Sequence, residues 1–342
     1  MLMNKLVERS LQTRAKPVRL GFLGVGWIGR NRMEAILRTQ VAQAVAIADP
    51  SEDMLKEALH LAPDAEIVGD LDALLSHDLD GVVIATPSAL HAKQSVRALQ
   101  AGVAVFCQKP LGRSAAEAEA VVDAAKSADR LLGVDLSYRY TEGMQRIRDL
   151  IRSDELGTVF AADLVFHNAY GPDKSWFYDK SLSGGGCVID LGVHLIDMAL
   201  WCLDFPAVVD TTSALMKGGE PMSAAGDVED FAVATLTLAS GAVIRLACSW
   251  GLQAGCDAVI GADFFGTGGG ASFKNVEGSF YDFTARRFRG TSSEDLVLPP
   301  DDWGGQAAAD WAARLARGQA YNSSCERLVD VAKVIDAIYR HA

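Results

Sequence analysis

What this sequence lacks narrows its function before any motif is read. It has no CxxC pair: Cys107, Cys187, Cys202, Cys248, Cys256 and Cys325 are scattered through 342 residues. Such spacing gives neither a disulfide framework nor a zinc set, and it reads as reduced thiols in a cytoplasmic protein without a metal. The remaining histidines, His60, His77, His167 and His341, form no ligand-spaced pair. A GxSxG nucleophile elbow is missing, which removes the commonest route to a serine hydrolase. No run reaches 18 consecutive apolar residues, and the basic start, MLMNKLVERSLQTRAKPVRL, lacks the apolar stretch of a secretory signal. Positive charge is scarce too: 32 Lys and Arg against 44 Asp and Glu leave a net charge of −12. That balance argues against nucleic acid or an anionic membrane as partner, because phosphate binding needs a basic footprint. A small-molecule ligand is expected instead.

The composition, 49% hydrophobic and 22% charged, is that of a chain that folds nearly throughout. At this length roughly three quarters of the extended-chain surface can be buried, so no covalent staple is needed, and two domains are expected. Residues 1–16 read as an N-terminal extension. From Val18 to about Ser137, short apolar runs (VRLGFLG, VAQAVAIAD, EIV, DGVVIATP, VAVFCQKP, LLGVDLSY) alternate with helix-like segments at about 31–40, 51–61, 71–77, 88–101 and 114–129. Strand, helix, strand in repetition builds a doubly wound parallel sheet. This first domain spans 17–138. A helix at about 142–153 follows, and strand-like runs then take over, including ATLTLASGAVIRLACSW, which turns at Ser240-Gly241. Helices at about 303–317 and 323–340 close the chain. The second domain, 139–342, is therefore read as α+β with an open, mostly antiparallel sheet, and a site between the domains is expected.

Gly24-Val25-Gly26-Trp27-Ile28-Gly29 is a GxGxxG that follows the first strand and opens the first helix. There, backbone N–H groups and the positive helix end face a pyrophosphate. Asp49 ends the second strand 20 residues later, where a carboxylate can accept from a ribose diol and would repel a 2′-phosphate. NAD is therefore favoured over NADP. Thr86-Pro87 ends the fourth run and His91 lies in the next helix, both at the ligand-binding edge. Gln108-Lys109-Pro110 ends the fifth run, and Pro110 turns the chain so that Lys109 reaches the cleft. An ammonium there can hold a carbonyl or alkoxide oxygen. In Gly184-Gly185-Gly186-Cys187-Val188-Ile189-Asp190-Leu191-Gly192-Val193-His194, helical spacing puts Asp190 and His194 on one face. An imidazole can exchange an alcohol proton, with a carboxylate to fix its tautomer.

Taken in order, GxGxxG at 24–29, Asp at 49, ATPxxxH at 85–91, KP at 109–110 and GGxxxDxxxH ending at His194 resemble the Gfo/Idh/MocA oxidoreductases, over nearly the whole chain from Val18. The resemblance implies a dehydrogenase acting with NAD on a hydroxyl or ketone of a sugar, inositol or related polyol. It further implies Lys109, Asp190 and His194 as catalytic trio, with Asp190 orienting His194, and Thr86, Pro87, His91 and Gln108 beside the cofactor. Arg139, Tyr140, His167, Trp176 and Tyr178 are implied on the substrate side. One departure stands out: the family usually has Glu-Lys-Pro, and here Gln108 replaces the carboxylate. Two alternatives come with the resemblance, an NAD-dependent glycosidase with transient redox and a non-catalytic dinucleotide sensor. The open sheet is expected to be covered by a second copy, in a homodimer or homotetramer.

Overall fold

A computed structural model describes residues 16–222 and 226–340. Of the extension expected at 1–16, all but Lys16 lies outside the described residues. Six parallel strands, β1 (Val18–Leu23), β2 (Ala42–Ala48), β3 (Glu66–Ile67), β4 (Gly81–Ile84), β5 (Ala104–Cys107) and β6 (Leu132–Val134), form one sheet in the order 3-2-1-4-5-6. Its central strands are apolar runs because helices cover both faces; β4 and β5 are buried at every residue. The helices between strands are Trp27–Arg38, Glu52–Leu59, Leu71–Leu75, Ser88–Gln100 and Ala115–Ala128. Ser51, Asp70 and Ser114 cap three of them by accepting from a backbone N–H in the first turn. Strand order reverses between β1 and β4, which opens a crevice beyond their carboxyl ends.

The second sheet has nine strands: β7 (Val159–Asn168), β8 (Val208–Lys217), β9 (Glu220–Pro221), β10 (Phe231–Leu238), β11 (Val243–Ser249), β12 (Ala258–Gly266), β13 (Gly270–Asn275), β14 (Phe283–Arg289) and β15 (Ser292–Val297). The order is 15-14-13-12-7-11-10-8-9, antiparallel throughout except where β7 and β11 run parallel. One face is buried under helices Glu142–Arg152, Val193–Cys202 and Arg327–Arg340. The expected α/β architecture with a second, mostly antiparallel sheet is thus present.

Three details differ from the sequence reading. The first helix begins at Trp27, inside the glycine motif, not near residue 31. Strand β15 was not anticipated, because SSEDLV is polar and exposed along most of its length. Helix Gln306–Ala316, grouped by sequence with the second domain, packs beneath the first sheet, where fully buried Trp311 meets Phe106 at 5.7 Å between ring centres. The final helix joins both cores, giving Val329 and Ala332 to the first and Val334, Ile335 and Ile338 to the second. The chain's end therefore ties the two sheets together. The segment Lys180–Cys202 is long and apolar enough, by length and composition alone, to cross a membrane, yet 89% of that window is buried in the core.

Candidate active site

The turn after β1 is as tight as its glycines require. Gly24 has a φ of +83°, and a Cβ at Gly29 would sit 2.1 Å from the Gly24 carbonyl oxygen. At Gly26, by contrast, a Cβ would meet nothing within 4 Å, so backbone faces open space on that side. Helix Trp27–Arg38 starts here without a side-chain cap and without an acid in its first turn. Its first N–H groups, of Trp27, Ile28 and Gly29, have no partner among the described residues. Unsatisfied donors at a helix start suit an anion. Asp49 stands beside the turn: Oδ2 accepts from Val25 N at 2.8 Å and Oδ1 from Ser51 N at 2.9 Å. These bonds fix the carboxylate and leave lone pairs for further donors. The features fit a dinucleotide, with pyrophosphate at the helix start and ribose at Asp49.

Thr86 follows β4, and its hydroxyl donates to Gln94 Oε1 at 2.6 Å. His91 differs from expectation: it is 1% exposed, with Nδ1 2.7 Å from the Pro110 carbonyl oxygen and Nε2 2.6 Å from that of Thr86. Burial lowers its pKa, so the neutral ring donates to one of the two carbonyls. It braces the β4 edge against the turn that carries Lys109 rather than facing a ligand.

Lys109 leaves the end of β5 and crosses to the second half of the molecule. Its Nζ donates to Asp190 Oδ1 at 2.7 Å and to the Asp190 carbonyl at 2.8 Å. The other carboxylate oxygen, Oδ2, accepts from the Trp250 indole N–H at 3.0 Å. Asp190 lies on a π-helical turn, Val188–Gly192, that precedes helix Val193–Cys202. That turn is pinned from behind by the fully buried Glu229, whose Oε1 accepts from Gly186 N at 2.9 Å, Val188 N at 3.0 Å and the Tyr339 hydroxyl at 2.7 Å. Only glycine fits at 186, since a Cβ would fall 1.9 Å from the Glu229 carbonyl oxygen.

His194 is 7% exposed and sits edge-on to Tyr138 at 5.1 Å, with Phe166 at 6.2 Å. No hydrogen bond joins it to Asp190 among the described residues, so the expected orienting contact is not made; both Asp190 oxygens are committed elsewhere. Burial first, then the nearby Lys109 and Arg32 cations, hold the His194 pKa well below its ordinary value. The ring is therefore neutral near pH 7, as a proton acceptor must be.

The remaining candidates divide. Trp176 stacks on Phe177, and Phe177 and Tyr178 both meet Trp250 edge-on, so this segment walls the Asp190 side. Arg139 is bound to Asp197, with Nε 2.8 Å from Oδ2, and Tyr140 donates to Asp310 at 3.0 Å. Both serve as struts. His167 is on the opposite sheet face from His194, because its neighbour Phe166 faces the helices and side chains alternate along β7. There it bonds Ser249 Oγ at 2.8 Å and stacks on Phe231.

Sequence reasoning missed Trp250, Glu229, Arg32 and Asp135. A signal existed for Asp135 alone, an acid within the apolar run LLGVDLSY. Asp135, 1% exposed, accepts from Arg32 Nε at 2.6 Å and from Gln108 Nε2 at 2.8 Å, all on Oδ2.

Comparison with known proteins gives a consistent set. Residues 18–136 match the family model described as "Oxidoreductase family, NAD-binding Rossmann fold", and residues 144–272 match "GFO/IDH/MocA C-terminal domain". D-glucoside 3-dehydrogenase of Escherichia coli K12 is 26% identical over 282 residues, 75% of this chain and 77% of that protein. Inositol 2-dehydrogenase of Acidiphilium cryptum is 29% identical over 71% of each chain. Among solved structures, levoglucosan dehydrogenase in complex with NADH superposes with a TM-score of 0.81 at 22% identity, covering 96% of this chain and 97% of that one. At that identity the likeness concerns the fold.

Proposed function

The chain belongs to the Gfo/Idh/MocA family of NAD-binding oxidoreductases, and from that premise we propose that it interconverts a secondary hydroxyl and a ketone on a sugar, inositol or related polyol. The observation that carries this reading is the Lys109–Asp190 pair, held at 2.7 Å, at the mouth of the crevice, with neutral His194 beside it. When bound, NAD supplies the redox partner for the substrate carbon. The chain's own groups do the rest. The first-turn N–H groups of Trp27, Ile28 and Gly29 take the pyrophosphate, and Asp49 takes the adenosine ribose. Lys109 donates to the reacting oxygen and stabilises the charge that grows there. Asp190 keeps the ammonium in position and is itself kept in position by Trp250. His194 accepts the hydroxyl proton directly or through Lys109, since it is neutral and near that ammonium. Trp176 and Tyr178 offer ring faces to the substrate's C–H surfaces.

Asp49 favours NAD over NADP, because a 2′-phosphate would face its carboxylate. Absorbance at 340 nm, with NAD and NADP separately, against inositols, aldoses, ketoses and glycosides tests the reading. Substrate-dependent NADH formation is expected. Release of an aglycone without net NADH overturns it for a glycosidase, and activity confined to NADP overturns the cofactor choice.

The reading includes a cytoplasmic homo-oligomer. The uncovered face of the second sheet carries Val233, 39% exposed, and Phe265, 40% exposed, together with the ion pairs Arg245–Asp163 and Lys274–Asp263. A second copy would cover that mixed surface. Light scattering should give a dimer or tetramer mass, and a concentration-independent monomer refutes it.

A further inference from the structure

Arg32, Gln108 and Asp135 come from three separate elements, the glycine-turn helix, the end of β5 and the end of β6, and meet out of solvent at 8%, 8% and 1% exposure. One carboxylate oxygen takes everything. Asp135 Oδ2 accepts from Arg32 Nε at 2.6 Å and from Gln108 Nε2 at 2.8 Å and pairs with the Arg32 guanidinium through Nη2 at 2.6 Å, while Oδ1 has no partner. A buried ion pair of this kind is weak evidence for stability, since desolvating both charges offsets most of their attraction. Its consequence is orientation. An amide whose nitrogen is held by a carboxylate must turn its oxygen the other way, and Gln108 immediately precedes Lys109.

We propose that Asp135 is a positioning residue for the cofactor: through Gln108 Nε2 it presents Gln108 Oε1 as a neutral acceptor for a hydroxyl of the bound dinucleotide. The negative charge of this corner is kept one position back, on Asp135, where Arg32 balances it. This role rests on the NAD reading above. A carboxyl at 108 cannot replace the amide while Asp135 is present. Two carboxylates at hydrogen-bond distance must share a proton, and the shared proton makes binding depend on pH. Exchanging the two groups keeps both the charge and the hydrogen bond.

The test is a cycle of Gln108→Glu, Asp135→Asn and the double variant, read as the NADH dissociation constant by fluorescence from pH 5 to 9. The other titratable or charged groups around the pair are Arg32, Cys107, Lys109 and His194. Gln108→Glu should weaken NADH about tenfold near neutrality, and Asp135→Asn less, because an asparagine oxygen in the place of Oδ2 still accepts from Gln108 Nε2. Gln108→Glu should also gain a loss of affinity with rising pH that the wild type lacks. The double variant should return to within about threefold of wild type and lose that pH dependence. Additive losses in the double variant overturn the role, as does a pH profile for Gln108→Glu that follows the wild type. If Asp135→Asn does not fold, the Gln108→Glu profile and the double variant decide alone. Failure of the wild type to bind NADH overturns the functional reading and this one together; binding with additive losses overturns only this one.

Discussion

The two walls of the crevice are built on different principles. On the wall formed by the first sheet, the groups aimed at a ligand are largely backbone: N–H groups at the start of helix Trp27–Arg38, and a turn so tight that Gly24 and Gly29 admit no side chain. The second sheet's wall works through side chains. Asp190, Trp250 and His194 come from a π-helical turn, a strand end and a helix, and each has its orientation set by a neighbour distant in sequence. Backbone recognition suits a constant ligand, because it depends on chain path alone. Side-chain recognition can change from one substrate to another while the path stays fixed. Lys109 starts from the first wall and is held by the second.

If the division is real, variants on the two walls should fail in opposite ways. Lys109→Ala should lower turnover at least about 100-fold while changing the NADH dissociation constant only a few-fold, because the lost contact is to the reacting oxygen. Asp49→Ala should do the reverse, weakening NADH about 10- to 100-fold through loss of a charge-assisted bond, with turnover at saturation close to normal. Steady-state kinetics beside NADH fluorescence titration separates the two. Parallel losses in kcat and NADH affinity for either variant would erase the distinction between the walls.

The same contrast explains what could be read from the chain. In the first half, the glycine motif, Asp49 and Lys109 were legible because each has a fixed place relative to a strand end, and strands are marked by local apolar runs. Asp190 and His194 were legible as residues, four apart beside a glycine run, but the orienting contact expected between them is not made. Helical spacing predicts which side chains share a face; it does not predict a π-helical turn at Asp190, nor that Lys109 and an indole 60 residues on would take its two carboxylate oxygens. Glu229 escaped for a related reason, since it acts on a turn more than 40 residues earlier through hydrogen bonds to Gly186 and Val188. Arg139 and His167 were placed on the substrate side by the family resemblance alone. The buried Asp197 claimed one, and strand alternation turned the other to the far face.

The smallest effect concerns the sharpest difference across the crevice, between a lysine paired with a carboxylate and a histidine left with cations and rings. His194 is held well below its ordinary pKa of 6.5, chiefly by burial. In the unfolded chain it takes up a proton as pH falls through that value, and in the folded protein it does not. The unfolded state therefore binds more protons below pH 6.5, and stability falls with acidification at up to about 1.4 kcal/mol per pH unit for this one group. His91 and His167, both also lowered, act in the same direction, so the wild type should lose stability below pH 6.5 with contributions from all three. Replacing His194 by Gln removes one contribution. Urea unfolding at pH 7.5 and 5.5 should then show the stability gap between wild type and His194→Gln shrinking by about 1 kcal/mol at the lower pH. An unchanged gap would mean that the ring takes its proton without cost. A carboxylate would then have to reach it, and Asp190 would be serving both walls instead of holding Lys109 alone.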